Sequence, residues 1–167
     1  MGSRSKIKKE IAKEIERAYI AGFLDGDGSL MLQIKKRHDS KSKFRFMSTI
    51  CFYQDTRHAK DLTWIREIFE IGYISKRNDG MSELRINGYQ SVKNILEILL
   101  PFIRFKRIQA EALFKACIIL SSKKYKLLLK SDLAMLVDLI LIIQKENYAT
   151  KSKKTRKELL KILGLTP

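Results

Sequence analysis

The sequence of 167 residues is poor in cysteine and proline, and it lacks any long apolar run. Cys51 and Cys117 are too few for a disulfide framework and show no metal-ligand spacing, so we expect a reducing, intracellular setting. The longest apolar stretch, around Leu133 to Ile143, is interrupted by Asp138 and is too short to span a bilayer. The first residues contain no apolar stretch of the signal-peptide kind. These absences argue against a secreted disulfide scaffold and predict no membrane partner.

Acidic side chains are scarce relative to basic ones. The chain has 34 Lys and Arg against 18 Asp and Glu, which gives a formal net charge of +16 and a pI near 9.9. Its hydrophobic fraction of 45% is ordinary for a globular protein, and its length suits one domain with a real core. We therefore expect a single domain over residues 1–167 and a polyanionic partner, of which nucleic acid is the commonest. A merely solvated basic surface is the alternative.

Apolar residues recur at two periods along the chain. A spacing of three to four predicts helices at Lys6–Leu24, Arg57–Ile71, Gln90–Leu100, Lys106–Leu120, Leu127–Gln144 and Ser152–Leu163. Strict alternation predicts strands at Ser29–Arg37, Lys43–Gln54, Tyr73–Arg77 and Ser82–Asn87. Gly26 and Gly28 are expected to stop the first helix, and Pro101 to separate the third from the fourth. The order α-β-β-α-β-β-α with further C-terminal helices predicts an α+β fold built on a four-stranded antiparallel sheet.

Each predicted strand has one apolar face and one polar or basic face. In the second strand, Phe44, Phe46, Ile50 and Phe52 form the apolar face. Such a sheet packs its helices on one side and offers the other to a partner, and antiparallel ribbons can enter a DNA major groove. An RNA-binding module is less favoured, because it would stack bases on exposed aromatic side chains. The predicted DNA contacts of the sheet are Gln33, Lys35, Arg37, Lys43, Arg45, Thr49, Tyr53, Arg77, Arg85 and Asn87.

The end of the first predicted helix is acidic, although helix C-termini carry partial negative charge and favour cations. Residues 19–29 read YIAGFLDGDGS. The carboxylates of Asp25 and Asp27 therefore destabilise this helix end unless a positive charge lies nearby. Gly22 and Gly26 lie four apart on one face, where another backbone can approach closely. A second copy packed there would bring a second carboxylate near the first, an arrangement that a divalent cation relieves. The alternative is a helix, a glycine turn and a solvated acid.

This segment closely resembles the signature of the LAGLIDADG homing endonucleases, and the order of elements from Glu14 to Leu120 fits the core of that family. Only one copy of the motif occurs. The resemblance implies a metal-dependent staggered double-strand break with 3′ overhangs in a long pseudo-palindromic DNA target, which a saddle-shaped sheet binds. It implies an organellar location, in a chloroplast or mitochondrion, if the gene lies in an intron there. It also implies a homodimer whose motif helices meet through Ala18, Gly22, Phe23 and Gly26.

Three positions carry over from that family as active-site residues. Asp27 matches its metal-ligand aspartate, with the Gly26 carbonyl beside it. Gln54 ends the second strand where the family often keeps a glutamine near the attacking water. Lys106 lies in a segment similar to the one that carries the family's active-site lysine. The implied cofactor is Mg²⁺ or Mn²⁺, while Ca²⁺ is expected to bind without supporting cleavage.

Plainer interpretations of these residues stay open. Gln54 also fits a strand-end polar residue, and Lys106 a solvated lysine at a helix start. Arg57 and His58 both lie near the place of a family arginine, and the sequence does not choose between them. A non-catalytic binder of the same fold, either an intron RNA maturase or a DNA-binding regulator, is the rival function.

A basic segment follows the fifth predicted helix. Lys145 to Lys157 contains six basic residues in thirteen. The resemblance implies that the segment grips phosphates, and a solvated basic tail is the alternative. The predicted phosphate contacts are Lys151, Lys153 and Lys154.

Overall fold

The computed structural model describes residues 2–36, 44–122, 128–147 and 153–165. Within these ranges the helices are α1 (Gly2–Asp27), α2 (Lys60–Phe69), α3 (Tyr89–Leu99), α4 (Arg107–Ser122), α5 (Lys130–Glu146) and α6 (Arg156–Ile162). The strands are β1 (Gly28–Lys36), β2 (Phe44–Asp55), β3 (Tyr73–Lys76) and β4 (Met81–Asn87). Three of the predicted DNA contacts lie outside the described residues: Arg37, Lys43 and Lys151.

The four strands form one antiparallel sheet in the order β1-β2-β4-β3. The long strand β2 pairs with both β1 and β4, so that Gly28 lies opposite Phe52 and Asn87 lies opposite Thr49. This topology confirms the predicted α+β class and the order of its first seven elements. The register also brings the start of β1, and with it the end of α1, beside the last residues of β2.

The helices cover one face of the sheet, because the alternation of apolar side chains gives every strand a face to bury. That face presents large side chains that are no more than 1% exposed, and each contributes about 1.5–3 kcal/mol by leaving water. They belong to one hydrophobic cluster that runs from Ile20 in α1 to Leu163 after α6. The sheet residues at its centre are Leu30, Phe46, Ile50, Phe52, Leu84 and Ile86.

Several helix boundaries differ from the prediction by a few residues, and two of them lie near the end of α1 and the end of β2. The first helix passes through Gly26 and ends at Asp27, for a reason that lies 80 residues away in the chain and is described below. The second helix begins at Lys60, because a 3₁₀ turn at Thr56–His58 precedes it. The carboxylate of Asp55 caps that turn by accepting the backbone N–H of Arg57 at 2.9 Å.

None of the helices in the described part of the chain is long and apolar enough to cross a membrane.

Candidate active site

The chain passes from α1 to β1 without a loop, and Gly28 makes this direct passage possible. A Cβ atom built at Gly28 would lie 2.7 Å from the carbonyl oxygen of Leu24 in the last turn of α1, closer than real Cβ atoms approach backbone. A side chain at this position would therefore push the strand away from the helix end. The close approach keeps Asp27 at the junction of helix and sheet.

The carboxylate of Asp25 ties the helix end to the segment that precedes α4. It accepts three backbone N–H groups, those of Arg104 at 2.7 Å, Phe105 at 3.2 Å and Lys106 at 2.9 Å. Asp25 is only 8% exposed. Because its oxygens are occupied by N–H donors, this acid is structural and holds the segment at residues 104–106 against α1.

The side chain of Lys106 caps α1. Its ammonium group donates to the carbonyl oxygens of Leu24 at 3.0 Å and Gly26 at 3.1 Å, and also to that of Asp25. Unpaired carbonyls and partial negative charge at a helix C-terminus attract a cation, so Lys106 supplies the compensation that an acidic end needs. Partial burial lowers the pKa of Lys106, against the opposing pull of Asp25 and Asp27. This cap explains why α1 continues through Gly26.

Asp27 is the exposed acid of the helix end. None of the hydrogen bonds between described residues uses its carboxylate, whereas the adjacent Gly26 carbonyl is shared with Lys106. Carboxylate and carbonyl oxygens are the ligands that Mg²⁺ prefers. The described residues contain no group of three or more His, Cys, Asp and Glu that could hold a metal ion. The donors of one chain therefore fit a metal only as part of a site that phosphate oxygens or a second carboxylate complete.

Gln54 lies on the other side of α1 from Lys106. Its side-chain oxygen accepts the backbone N–H of Asp55 at 2.9 Å, and it lines a cavity of about 450 Å³ with Tyr19 and Phe23 of α1. Lys106 and Gly26 line a separate cavity of about 600 Å³. Within one chain the structure thus brings Asp27, Gly26 and Lys106 together and leaves Gln54 at the neighbouring edge.

Arg57 and His58 differ in their surroundings. The guanidinium of Arg57 pairs with Asp55 at 2.9 Å, and these hydrogen bonds hold the pKa of Asp55 at about 2. His58 is exposed at the end of the 3₁₀ turn. The side chain of Arg57 therefore stabilises the turn after Gln54.

The sheet face opposite the helices carries the predicted DNA contacts of β1 and β2. Lys35 and Arg45 are both exposed and lie directly opposite each other in the register. Like charges in this position repel and destabilise a free sheet. Gln33 and Tyr53 are half-buried on the same face.

The DNA contacts predicted on β4 and just after β3 interact with neighbouring side chains of the same chain. Arg77 lies over the ring of Tyr53 at 5.6 Å and pairs with Asp79 at 2.8 Å. Arg85 pairs with Glu83, an acid that is only 8% exposed, at 3.0 Å. Because acidic partners offset their charge, these two arginines should attract an anion less strongly than Lys35 or Arg45.

The prediction of Thr49 as a surface contact is wrong for this conformation. Thr49 is completely buried, and its hydroxyl donates to the side-chain oxygen of Asn87 at 2.6 Å. Asn87 itself is exposed. Thr49 therefore orients Asn87 from beneath, and only Asn87 can meet a partner directly.

The described part of the basic segment lies beside the sheet. Lys153 donates to the carbonyl of Lys145 at 3.5 Å, and the backbone N–H of Lys154 donates to the side chain of Gln144 at 3.1 Å. Lys154 lines a cavity of about 270 Å³ together with Gln33 and Lys35 of β1. The segment therefore extends the basic surface past the edge of the sheet.

The exposed face of α1 is open where the dimer interface was predicted. A Cβ atom added at Gly22 or Gly26 would meet nothing within 4 Å, and Ala18 is exposed on the same face. Phe23, by contrast, stacks on Phe52 of its own chain with ring centroids 6.0 Å apart, and is half-buried. The glycines are therefore unused by the packing of this chain.

Sequence patterns missed two features near the helix end. Ser29 and Tyr53 share a hydrogen bond of 3.0 Å across β1 and β2, which fixes the Tyr53 hydroxyl beside the start of β1. Phe105 is 88% exposed beside Lys106. It lies in an irregular segment, where no periodicity distinguishes a surface aromatic residue from a core one.

The chain is similar to proteins of known function. The family model described as LAGLIDADG endonuclease matches residues 20–118. The chain belongs to this family.

Relatives among the LAGLIDADG endonucleases match most of the chain. The DNA endonuclease I-CvuI of Chlorella vulgaris is 32% identical over 157 residues, which is 90% of this chain and 93% of the relative. A crystal structure of I-CvuI in complex with its target, in the presence of calcium, superposes with a TM-score of 0.81 over 94% of this chain and 99% of that one, at 29% identity. The DNA endonuclease I-CreI of Chlamydomonas reinhardtii is 32% identical over 58% of this chain and 59% of the relative.

Proposed function

We propose that this chain is a homing endonuclease, which cuts double-stranded DNA at a long specific site, as a homodimer and with a divalent metal ion. The observation that carries the proposal is the end of α1. There a carboxylate without a hydrogen-bond partner among the described residues, that of Asp27, sits beside the cation of Lys106 and an open glycine face. The relatives I-CvuI and I-CreI are DNA endonucleases, which supports the same activity here.

The charge of the sheet supports a DNA partner. Lys35 and Arg45 repel each other in the free protein, and a phosphate backbone would remove this repulsion. Lys154 adds positive charge beside them. A strand of nine residues spans about 30 Å, or roughly nine base pairs, so two subunits read about 20 base pairs. A homodimer presents the same surface twice, which favours a pseudo-palindromic target.

The incomplete donor set supports a homodimer. One chain offers Asp27 and the Gly26 carbonyl, which are too few ligands to hold a metal alone. Packing of two α1 helices through Gly22 and Gly26 would bring two Asp27 carboxylates together at a two-fold axis. Each of the two scissile phosphates would then lie near one Lys106.

The chemistry of the proposed site divides among three residues. Mg²⁺, when bound, would supply Lewis-acid stabilisation of the phosphate and an activated water, and Mn²⁺ would do the same. Asp27 would hold the metal, and Lys106 would place a fixed positive charge where negative charge develops. Gln54 orients the attacking water from the edge of the sheet. Staggered cuts with 3′ overhangs are expected.

The relatives come from green algae, Chlorella vulgaris and Chlamydomonas reinhardtii. We extend the proposal to an intron-encoded protein of a chloroplast or mitochondrion, for which intron RNA is a further candidate partner.

A randomised plasmid library with Mg²⁺, Mn²⁺ or Ca²⁺ tests the proposal, with double-strand breaks mapped by sequencing. Breaks at one long site are expected with Mg²⁺ or Mn²⁺, and binding alone with Ca²⁺. On the site so found, Asp27→Asn should lower the cleavage rate by at least about 100-fold while leaving binding within a few-fold. Glu97→Gln, which neutralises an exposed acid on α3, is the matched control and should cut normally.

Two results would contradict this function. Cleavage by Asp27→Asn at the wild-type rate would remove Asp27 from the site. Tight binding to DNA with no break under any metal would instead indicate the rival, a non-catalytic binder of the same fold.

A further inference from the structure

The N-terminal part of α1 carries an apolar stripe that no described residue of the chain covers. Ile7 is 55% exposed, Ile11 51% and Ile15 64%. The helix is exposed on all sides from Lys6 to Glu16, so this part projects from the core. Solvated isoleucines repeated every four residues on a projecting helix are typical of a surface that binds another helix.

The stripe continues the open face at the other end of α1. At about 100° per residue, its members fall within roughly 100° of arc on one side of the helix. The side chains grow steadily towards the N-terminus, from glycine through alanine to isoleucine. Two helices that touch at the glycines and diverge from there need such a gradient, because larger side chains fill a widening gap. The members of the stripe are Gly26, Gly22, Ala18, Ile15, Ile11 and Ile7.

We infer that the stripe from Ile7 to Ile15 docks on the same stripe of a second copy, so that two α1 helices form a parallel pair along their whole length. The inference rests on the homodimer proposed above. If two Asp27 residues meet at a shared centre while Gly22 also touches its counterpart, the helices run in the same direction from that centre. The two N-terminal halves then leave the core side by side.

The small apolar area of Ala18, Gly22 and Gly26 supports a contact of the isoleucines with the second copy. Ala18, Gly22 and Gly26 carry one methyl group among them, whereas stable homodimers bury well over about 1,200 Å² of surface. The three isoleucines supply additional apolar area in line with that patch. The association of two copies therefore depends on the stripe as well as on the glycines.

Helix geometry limits how the pair can cross. Ile7 lies about 22 Å along the helix from Gly22, at about 1.5 Å per residue. With a crossing angle near 20°, the axes at Ile7 are still about 10 Å apart, which isoleucine side chains can bridge. With a crossing angle near 50° the axes at Ile7 are too far apart for isoleucine side chains to bridge. The inference thus includes a shallow crossing of the two helices.

The first test compares two double variants on the projecting part of α1. Ile7→Ala/Ile11→Ala truncates two of the three isoleucines of the stripe, while Lys9→Ala/Lys13→Ala truncates two side chains on the opposite face. Alanine preserves the helix in both variants. Sedimentation equilibrium without DNA measures the dimer dissociation constant. We expect it to rise by at least about 10-fold for the isoleucine variant and by less than about 3-fold for the lysine variant. Circular dichroism at a concentration where both are dimeric checks that both fold.

The second test reports whether the stripes of two copies face each other. Ile11→Cys and Lys13→Cys are each treated with a short bis-maleimide, and the native Cys51 and Cys117 are buried. A parallel pair brings the Ile11 position of one copy close to the Ile11 position of the other. The variant Ile11→Cys should therefore form a cross-linked dimer, and Lys13→Cys should not.

The outcomes separate the two proposals. If the wild-type chain is monomeric at all concentrations and also on DNA, the proposed homodimer fails. If the wild type is dimeric but Ile7→Ala/Ile11→Ala weakens it no more than Lys9→Ala/Lys13→Ala, the homodimer stands and the stripe inference is overturned. Failure of Ile11→Cys to cross-link in a dimer overturns the parallel pairing as well.

Discussion

Two acids that are two positions apart in the motif have opposite environments. Asp25 accepts three backbone N–H groups and is buried, whereas Asp27 is exposed and accepts no hydrogen bond from the described residues. Composition alone does not separate the two acids, although the family resemblance singles out Asp27. What separates them is the segment at residues 104–106, which packs against one side of the helix end only.

The two acids should therefore respond differently to the same substitution. In Asp25→Asn one of the two acceptor oxygens becomes an NH₂ group, which faces N–H donors, so we expect the free energy of unfolding to fall by about 1–3 kcal/mol. Asp27→Asn should leave it unchanged or slightly higher, because an acid at a helix C-terminus is unfavourable. Urea denaturation of both variants measures the difference. Equal destabilisation by the two substitutions would be inconsistent with these separate roles.

At the scale of elements, periodicity predicted the seven-element core, because strands and helices repeat their apolar side chains at clearly different intervals. It did not predict the end of α1, since the glycine at position 26 is kept helical by Lys106, which is 80 residues away. It also misplaced Thr49, because alternation shows which face a side chain occupies but not whether neighbours cover that face. The capped helix end and the buried hydroxyl both depend on long-range contacts.

The opposed pair on β1 and β2 gives a prediction at this scale. Lys35→Gln removes the repulsion with Arg45, so the Tm of the free protein should rise slightly, by about 1 °C. The same change should weaken DNA binding, since the positive charge is lost from the DNA-contacting face. Lys60→Gln on α2 removes a lysine from another surface and serves as the control. If Lys35→Gln lowered the Tm and left the affinity for DNA unchanged, Lys35 and Arg45 would not have the proposed roles.

At the scale of the whole molecule, the excess of positive charge makes DNA affinity depend on salt. Each phosphate contact contributes a slope of about −0.9 to the dependence of log K on log salt concentration. Lys153 and Lys154 lie where they extend the sheet surface.

Lys153→Gln/Lys154→Gln should therefore lower affinity for specific and random DNA alike and should reduce the magnitude of the salt slope by about 2 per subunit. Fluorescence anisotropy at several salt concentrations measures both quantities. The Lys60→Gln protein, with its slope unchanged, gives the reference. An unchanged slope in the double variant would indicate that these two lysines are only solvated.

The cap that Lys106 forms on α1 determines when the end of this helix can fold during synthesis of the protein. The motif helix leaves the ribosome early, but its last turn is incomplete until the chain has grown by another 80 residues. Contacts this distant in sequence form late in folding, because a long loop must first close. The helix end therefore takes its final shape only after the sheet and α3 exist. The motif is therefore translated early, but the end of α1 that carries it lacks its lysine cap until nearly two thirds of the chain has been made.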